Sequence, residues 1–396
     1  MSRSLKASAE GLRLVERVRK NKGWSKYDSV WYDTARVSQT TLKRFHKPEA
    51  IDKENFINIC KAVEVDYKDV VGSARSFWGT SPDVSFFCGR KAELNTLNQW
   101  LIKDRCRVVA IKAMGGMGKS YLTKKLAANL EDKFAGVYWV SLQNARLLEQ
   151  VIEDLLAFLS NQQEIKPAND FETNLLRLVK HLTEKNWLII FDNVESILES
   201  NSFSGKYRAE YENYGALFDR LCSCVHNSSI IVTSREQLPE IKRLSADTAT
   251  VRVLELQGIN DAAIGILRRK GINVEELELN RLIRQYQGNP LALELAAATI
   301  KQTFNSNIQL FLNTEKLVFN DIKGLLDSQF KRLSSAERSL MYWLAIYREP
   351  ATIEAFETDN LSRLSTAKII SALDSLRDRS LLQIKENCYT LSLYQS

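Results

Sequence analysis

The stretch Val108-Val-Ala-Ile-Lys-Ala113-Met-Gly-Gly-Met-Gly-Lys-Ser120-Tyr-Leu-Thr runs from an apolar segment, through a glycine-rich loop, into a helical pattern. The β-branched run predicts a buried strand. Glycines let successive backbone N–H groups turn inward around anionic oxygens. Lys119 then places its ammonium on the β and γ phosphates, and Ser120 supplies a hydroxyl to Mg²⁺ while opening a helix whose N-terminal dipole favours the anion. Gly115, Gly116, Met117, Gly118, Lys119, Ser120 and Tyr121 are therefore the expected contacts to ATP or ADP. The usual first glycine of such a loop is here Ala113.

Working outward, Trp187-Leu-Ile-Ile-Phe191 reads as a buried strand that delivers Asp192, with Ser120, to the water shell of Mg²⁺. Asn193 follows, where many such proteins carry a second acid to activate water; an amide cannot take that proton. Glu195 either stands in or is a solvated acid at a helix start, so hydrolysis is expected to be slow. Ile230-Ile-Val-Thr-Ser-Arg235 brings Thr233 and Arg235 to the same carboxyl edge. Arg235 there either senses a γ-phosphate or caps a strand edge. Together with strands expected at 107–112, 136–141, 187–191, 229–233 and 248–254, these segments alternate with helices. The fold class is α/β, a parallel sheet covered by helices on both faces. Residues 200–215 read as a surface excursion whose Tyr207, Tyr211 and Tyr214 share a packing face.

The 396 residues suffice for several domains, and an apolar share of 44% with 26% charged residues is that of a globular protein. No run approaches the ~20 apolar residues of a membrane helix, and the N-terminus lacks an apolar leader, so a cytoplasmic location and no membrane partner are expected. Six scattered cysteines form no disulfide framework; Cys222 and Cys224 with His226 lack the second ligand pair of a zinc site and are read as structural. Of the net charge of +7, residues 1–75 hold nearly all, with 16 Lys and Arg against 10 Asp and Glu.

That basic segment carries helical patterns at 12–18, 25–34, 38–45, 52–63 and 66–71, a helical domain over residues 1–72. A linker follows over 73–83. The α/β domain spans 84–256, a helical domain 257–318 and a last domain 319–396, whose helices end in two short strands, 381–384 and 389–393, as in a winged helix. In the first domain, Ala35-Arg-Val-Ser38-Gln-Thr-Thr-Leu-Lys43-Arg44-Phe45 reads as a turn and a helix capped by Ser38. It resembles the recognition helix of a helix-turn-helix, in which Gln39 and Thr40 would reach base edges while Lys43, Arg44 and Lys47 contact phosphates. The rival reading is a protein-interaction bundle. Salt dependence separates the two.

Five motifs in order resemble the NB-ARC branch of the STAND signal-transduction ATPases. Phe86-Phe87-Cys88-Gly89-Arg90-Lys-Ala-Glu93-Leu is similar to the adenine-side motif, Ala113–Ser120 to the phosphate loop, and 187–194 to the Mg²⁺ strand. Thr233-Ser-Arg235 is similar to the sensor, and Gly288-Asn-Pro290-Leu-Ala-Leu to the glycine-x-proline element. The resemblance implies that Phe87, Gly89, Arg90 and Pro290 hold the base side. It also implies that Lys119, Asp192 and Arg235 carry what catalysis there is, and that the domains close over ADP and open with ATP to assemble as a homo-oligomer. The family's histidine-aspartate motif in the last domain is not recognisable, and C-terminal repeats do not follow. Three functions stay open: a nucleotide-gated switch with output through residues 1–72, a constitutive Mg²⁺-dependent ATPase, and a binding module with structural nucleotide.

Overall fold

Side-chain alternation along the strands sets the layers. In β1 (Val108–Lys112), Val108 and Ala110 join the core on one side of the sheet, while Val109 and Ile111 join the core on the other. The same alternation divides Ile189 and Phe191 from Leu188 and Ile190 in β3 (Trp187–Asp192), and Ile230 and Val232 from Ile231 in β4 (Ser229–Ser234). Strands buried on both faces need an almost continuous apolar sequence, which these have. Each Val, Leu or Ile so buried contributes roughly 1.5–3 kcal/mol.

The computed structural model describes residues 4–47, 49–67, 70, 75–160, 170–260, 262–314, 320–359 and 364–391. The chain divides into two units, Met1–Ser76 and Phe77–Ser396. In the second, β2 (Gly136–Ser141) and β5 (Val251–Glu255) complete five parallel strands in the order β2-β3-β4-β1-β5. Because β4 lies between β1 and β3, the ends of all three strands converge at one carboxyl edge. Helices Leu148–Leu159, Phe171–Glu184 and Asn213–Ser223 cover one face, and Lys91–Asn98 and Lys119–Leu130 the other. Tyr211 and Tyr214 are buried, donating their hydroxyls to the carbonyls of Ala145 and Arg146, so the tyrosine face packs as expected.

Helices Ala263–Arg269, Glu276–Tyr286, Pro290–Gln302 and Ile308–Asn313 follow around their own core. Asn320–Lys331, Ser335–Tyr347, Ile353–Thr358 and Thr366–Asp378 form another, closed by the antiparallel pair β6 (Leu382–Lys385) and β7 (Cys388–Leu391). Glu386 and Asn387 both have positive φ (49° and 64°), the geometry of a two-residue hairpin turn. The rest of the strand expected over 389–393 lies outside the described residues, as do parts of the helix expected at 66–71 and of the linker.

The first unit holds helices Ala9–Asn21, Ser29–Thr34, Gln39–His46 and Lys53–Ala62 around Trp31, Leu42, Phe45, Phe56 and Ile59. The second helix starts later than its apolar pattern because Asp28 caps it, accepting from Val30 N–H at 3.1 Å. Among the described residues no helix is long and apolar enough to cross a membrane.

Candidate functional site

The carboxyl edge of the sheet opens into a cavity of about 560 Å³. Its floor is the loop Gly115–Ser120, and only Gly116 (φ 81°) and Gly118 (φ 85°) in it use left-handed backbone. Ala113 sits outside that region, so a methyl group there costs nothing in conformation. Its carbonyl accepts the Lys119 ammonium at 2.8 Å, and Met114 carbonyl takes a second bond at 3.2 Å. Lys119 is thus buried against its own loop.

Ser120 donates to Asp192 Oδ1 at 2.7 Å, and Thr233 donates to the same oxygen at 2.5 Å. Burial pushes the Asp192 carboxyl above its usual range against the opposing pull of those two hydroxyls. Asn193, left-handed at φ 61°, steadies the carboxylate by donating its amide to Oδ2 at 3.2 Å. Glu195 is neither solvated nor free: it is buried, 3.0 Å from Arg235 Nε, and also accepts the Arg235 backbone N–H. The paired carboxylate, not visible in sequence spacing, fixes the arginine whose guanidinium packs along Gly115.

The opposite end of the cavity is lined by Phe86, Phe87, Cys88, Ile259, Ile266 and Pro290. Arg90 lines it too, but its guanidinium is committed to Glu93 at 2.6 Å and to Met117 carbonyl at 3.2 Å, tying this segment to the loop. Gly89 does not line the cavity; a Cβ there would stand 2.2 Å from that of Ala262. Asn289 is a residue sequence reasoning passed over. Its Oδ1 caps the helix Pro290–Gln302 while its Nδ2 donates to Gly115 carbonyl at 3.0 Å, so one side chain joins the helical part to the phosphate loop. A short polar residue before Pro was the available signal.

Chemically, the cavity's volume suits a nucleotide-sized ligand. It pairs a cation and an arginine with a carboxylate–hydroxyl couple of the kind that takes a divalent ion. Burial lowers Lys119 to about 8, with Glu195 and Asp192 opposing and Arg235 reinforcing the shift. A bound phosphate favours the ammonium, so binding takes up a proton above pH ~8. ADP affinity is expected to be level below that pH and to weaken by up to about tenfold per unit above it. Calorimetric titrations from about pH 7 to 9.5 check this; a flat profile contradicts it.

In the first unit Gln39, Thr40, Lys43 and Arg44 are all exposed on one helix. Arg36, where a helix-turn-helix commonly has glycine, is left-handed at φ 55°. Arg44 is engaged by Glu49 at 3.2 Å and Ala50 carbonyl at 3.1 Å, whereas Lys26 and Lys43 both lie 5.8 Å from the Tyr27 ring. Among the described residues no group of His, Cys, Asp and Glu is placed to hold a metal by itself. His226 bonds Leu221 carbonyl at 3.0 Å, and burial pushes the Cys222 thiol up to about 12.

Residues 90–257 match the family described as the NB-ARC domain. An uncharacterized WD repeat-containing protein of Nostoc sp. is 32% identical over 441 aligned residues, covering 98% of this chain and 35% of that protein. The chain thus spans about a third of that relative's length. Among solved structures, a Walker-type ATPase of Pyrococcus abyssi superposes with a TM-score of 0.54 at 13% identity, over 80% of this chain and 97% of its own. A STAND protein with a tetratricopeptide repeat sensor from Pyrococcus horikoshii aligns with 80% of this chain and 42% of its own, at TM-score 0.41 and 21% identity.

Proposed function

We propose, from the premise that this chain belongs through residues 90–257 to the NB-ARC family of STAND P-loop NTPases, that it is an ATP/ADP-gated signalling switch. The observation that carries this reading is that one cavity draws its walls from two parts of the second unit. Lys119, Ser120 and Arg235 come from the sheet edge, and Pro290 and Leu291 from the helical part. A ligand held between two parts shifts their arrangement by the difference in its affinity for each arrangement.

Lys119 is the phosphate contact, released from its loop carbonyls when an anion arrives. Ser120 and Asp192 are the residues to hold Mg²⁺, which when bound neutralises phosphate charge. Phe87, Cys88 and Pro290 enclose the base, and Arg90 holds that segment against the loop. Arg235 recognises a third phosphate. Turnover by this site is slow, because Asn193 cannot accept a proton and Glu195 is occupied by Arg235. The same two residues disfavour a constitutive ATPase.

The ATP form assembles as a homo-oligomer, and the signal leaves through residues 1–72 as protein contact or duplex DNA binding. For the latter, the exposed Gln39, Thr40 and Lys43 are the contacts, with Lys26 beside them. The test is the nucleotide that co-purifies with the full chain, and its oligomeric state with ADP and with ATP. A bound adenine nucleotide and a larger species with ATP are expected. Steady turnover at motor-ATPase rates, or one size in both states, overturns the switch. In the same preparation, steeply salt-dependent retention on duplex DNA supports DNA output, and none at low salt supports protein contact.

A further inference from the structure

The chain immediately after β4 faces two ways with consecutive residues. Arg235 lines the cavity and rests on Glu195. Glu236, 2% exposed, is held by two guanidiniums from the C-terminal part, Arg332 at 2.6 Å and Arg379 at 2.9 Å. Arg379, 1% exposed, also meets Glu337 at 3.0 Å and donates to Ser202 carbonyl at 2.8 Å. Glu337 is fully buried at the start of its helix and accepts the Ser375 hydroxyl at 2.7 Å. The next residue, Gln237, donates its N–H to Asp378 carbonyl at 3.0 Å.

This cluster is poorly built for stability alone. Both guanidiniums share Glu236 Oε1, while Oε2 is buried without a hydrogen-bond partner among the described residues. A buried charge network left half satisfied costs more than an apolar contact of the same shape, and the best-attested use of such networks is to fix one arrangement against another. Consecutive Cα atoms are ~3.8 Å apart, so the clamp on Glu236 also fixes the backbone from which Arg235 projects toward the cavity.

We infer that Glu236 and Arg379 are positioning residues that set the nucleotide preference of the cavity. With the pair made, Arg235 stays on Glu195 and the diphosphate is favoured. With it broken, the strand end is released and Arg235 reaches a third phosphate. By reciprocity, a triphosphate in the cavity loosens the C-terminal part. The inference rests on the switch reading and adds the coupling element.

The experiment compares the wild-type chain with Glu236→Gln, Arg379→Lys and Lys242→Ala, titrating each with ADP and with a non-hydrolysable ATP analogue. Glu236→Gln is expected to raise the ratio of analogue to ADP affinity on the order of tenfold, a usual coupling size. Arg379→Lys, which keeps a buried cation but loses the fork, shifts it part way and covers the case in which Glu236→Gln does not fold. Lys242 holds Asp374 and Asp378 in the same interface without touching Glu236, so Lys242→Ala leaves the ratio unchanged. Equal weakening of both nucleotides by the folded variants, or an equal shift from Lys242→Ala, overturns the inference. Absence of any binding by wild type overturns the switch reading itself.

Discussion

Replacing Lys119 by alanine is expected to cut the thermal stabilisation that ADP gives the wild-type chain to about half or less. At a ligand concentration a hundredfold above Kd, binding stabilises the native state by about 2.7 kcal/mol. A hydrogen bond to a charged group is worth about 1.5–3 kcal/mol, so losing the ammonium weakens ADP roughly 10- to 100-fold. At fixed ligand, about 0.4–1.4 kcal/mol of the stabilisation then remains. The free protein is little harmed, because the ammonium costs desolvation where it is buried and serves only loop carbonyls. Melting with and without ADP separates these effects. A variant that keeps the full ADP-induced shift would falsify the role given to Lys119.

A larger structural loss is expected from Gly288→Ala. Gly288 has φ 62°, and a Cβ there would stand 2.3 Å from Ile259 carbonyl oxygen and 2.8 Å from its nitrogen. Both neighbours are backbone, so neither yields. Left-handed backbone costs a non-glycine residue roughly 1–2 kcal/mol, and overpacking adds about 1–3 kcal/mol. A loss of about 2–5 kcal/mol in denaturant unfolding follows, together with weaker nucleotide binding, since Asn289 is displaced from Gly115. Gly271→Ala is the matched control: it too is left-handed, at φ 77°, but has open space around it. If the two variants unfold alike, the close approach at Ile259 is not what Gly288 serves.

What could be read from the sequence was local. The β-branched runs, the glycine loop and the acid closing β3 each declare themselves within a few residues, and the strand periodicity places Lys119, Asp192 and Arg235 at one edge. What could not be read depends on side chains meeting across long separations. Glu195 looks like a solvated helix-start acid until β4 brings Arg235 beside it, 40 residues away. Arg90 reads as a base-side residue, yet spends its guanidinium on Glu93 and the loop. Glu236 carries no signal at all in sequence, because its partners lie 96 and 143 residues further on. Arg36 is an intermediate case: the turn was legible, but not that an arginine would take its left-handed position.

Cys88 adds a practical property to the cavity wall it shares with Phe87 and Pro290. It is the exposed thiol at that wall, whereas Cys60, Cys106 and Cys222 are buried, with thiols that burial holds protonated well past neutrality. Alkylating reagents act on accessible thiolates. A ligand that fills the cavity is expected to shield Cys88, so the rate at which this one cysteine is capped, read as a mass increment on its peptide, is expected to fall as the cavity fills. The native chain therefore carries its own occupancy gauge, usable in crude extract without a fluorophore or an engineered tag.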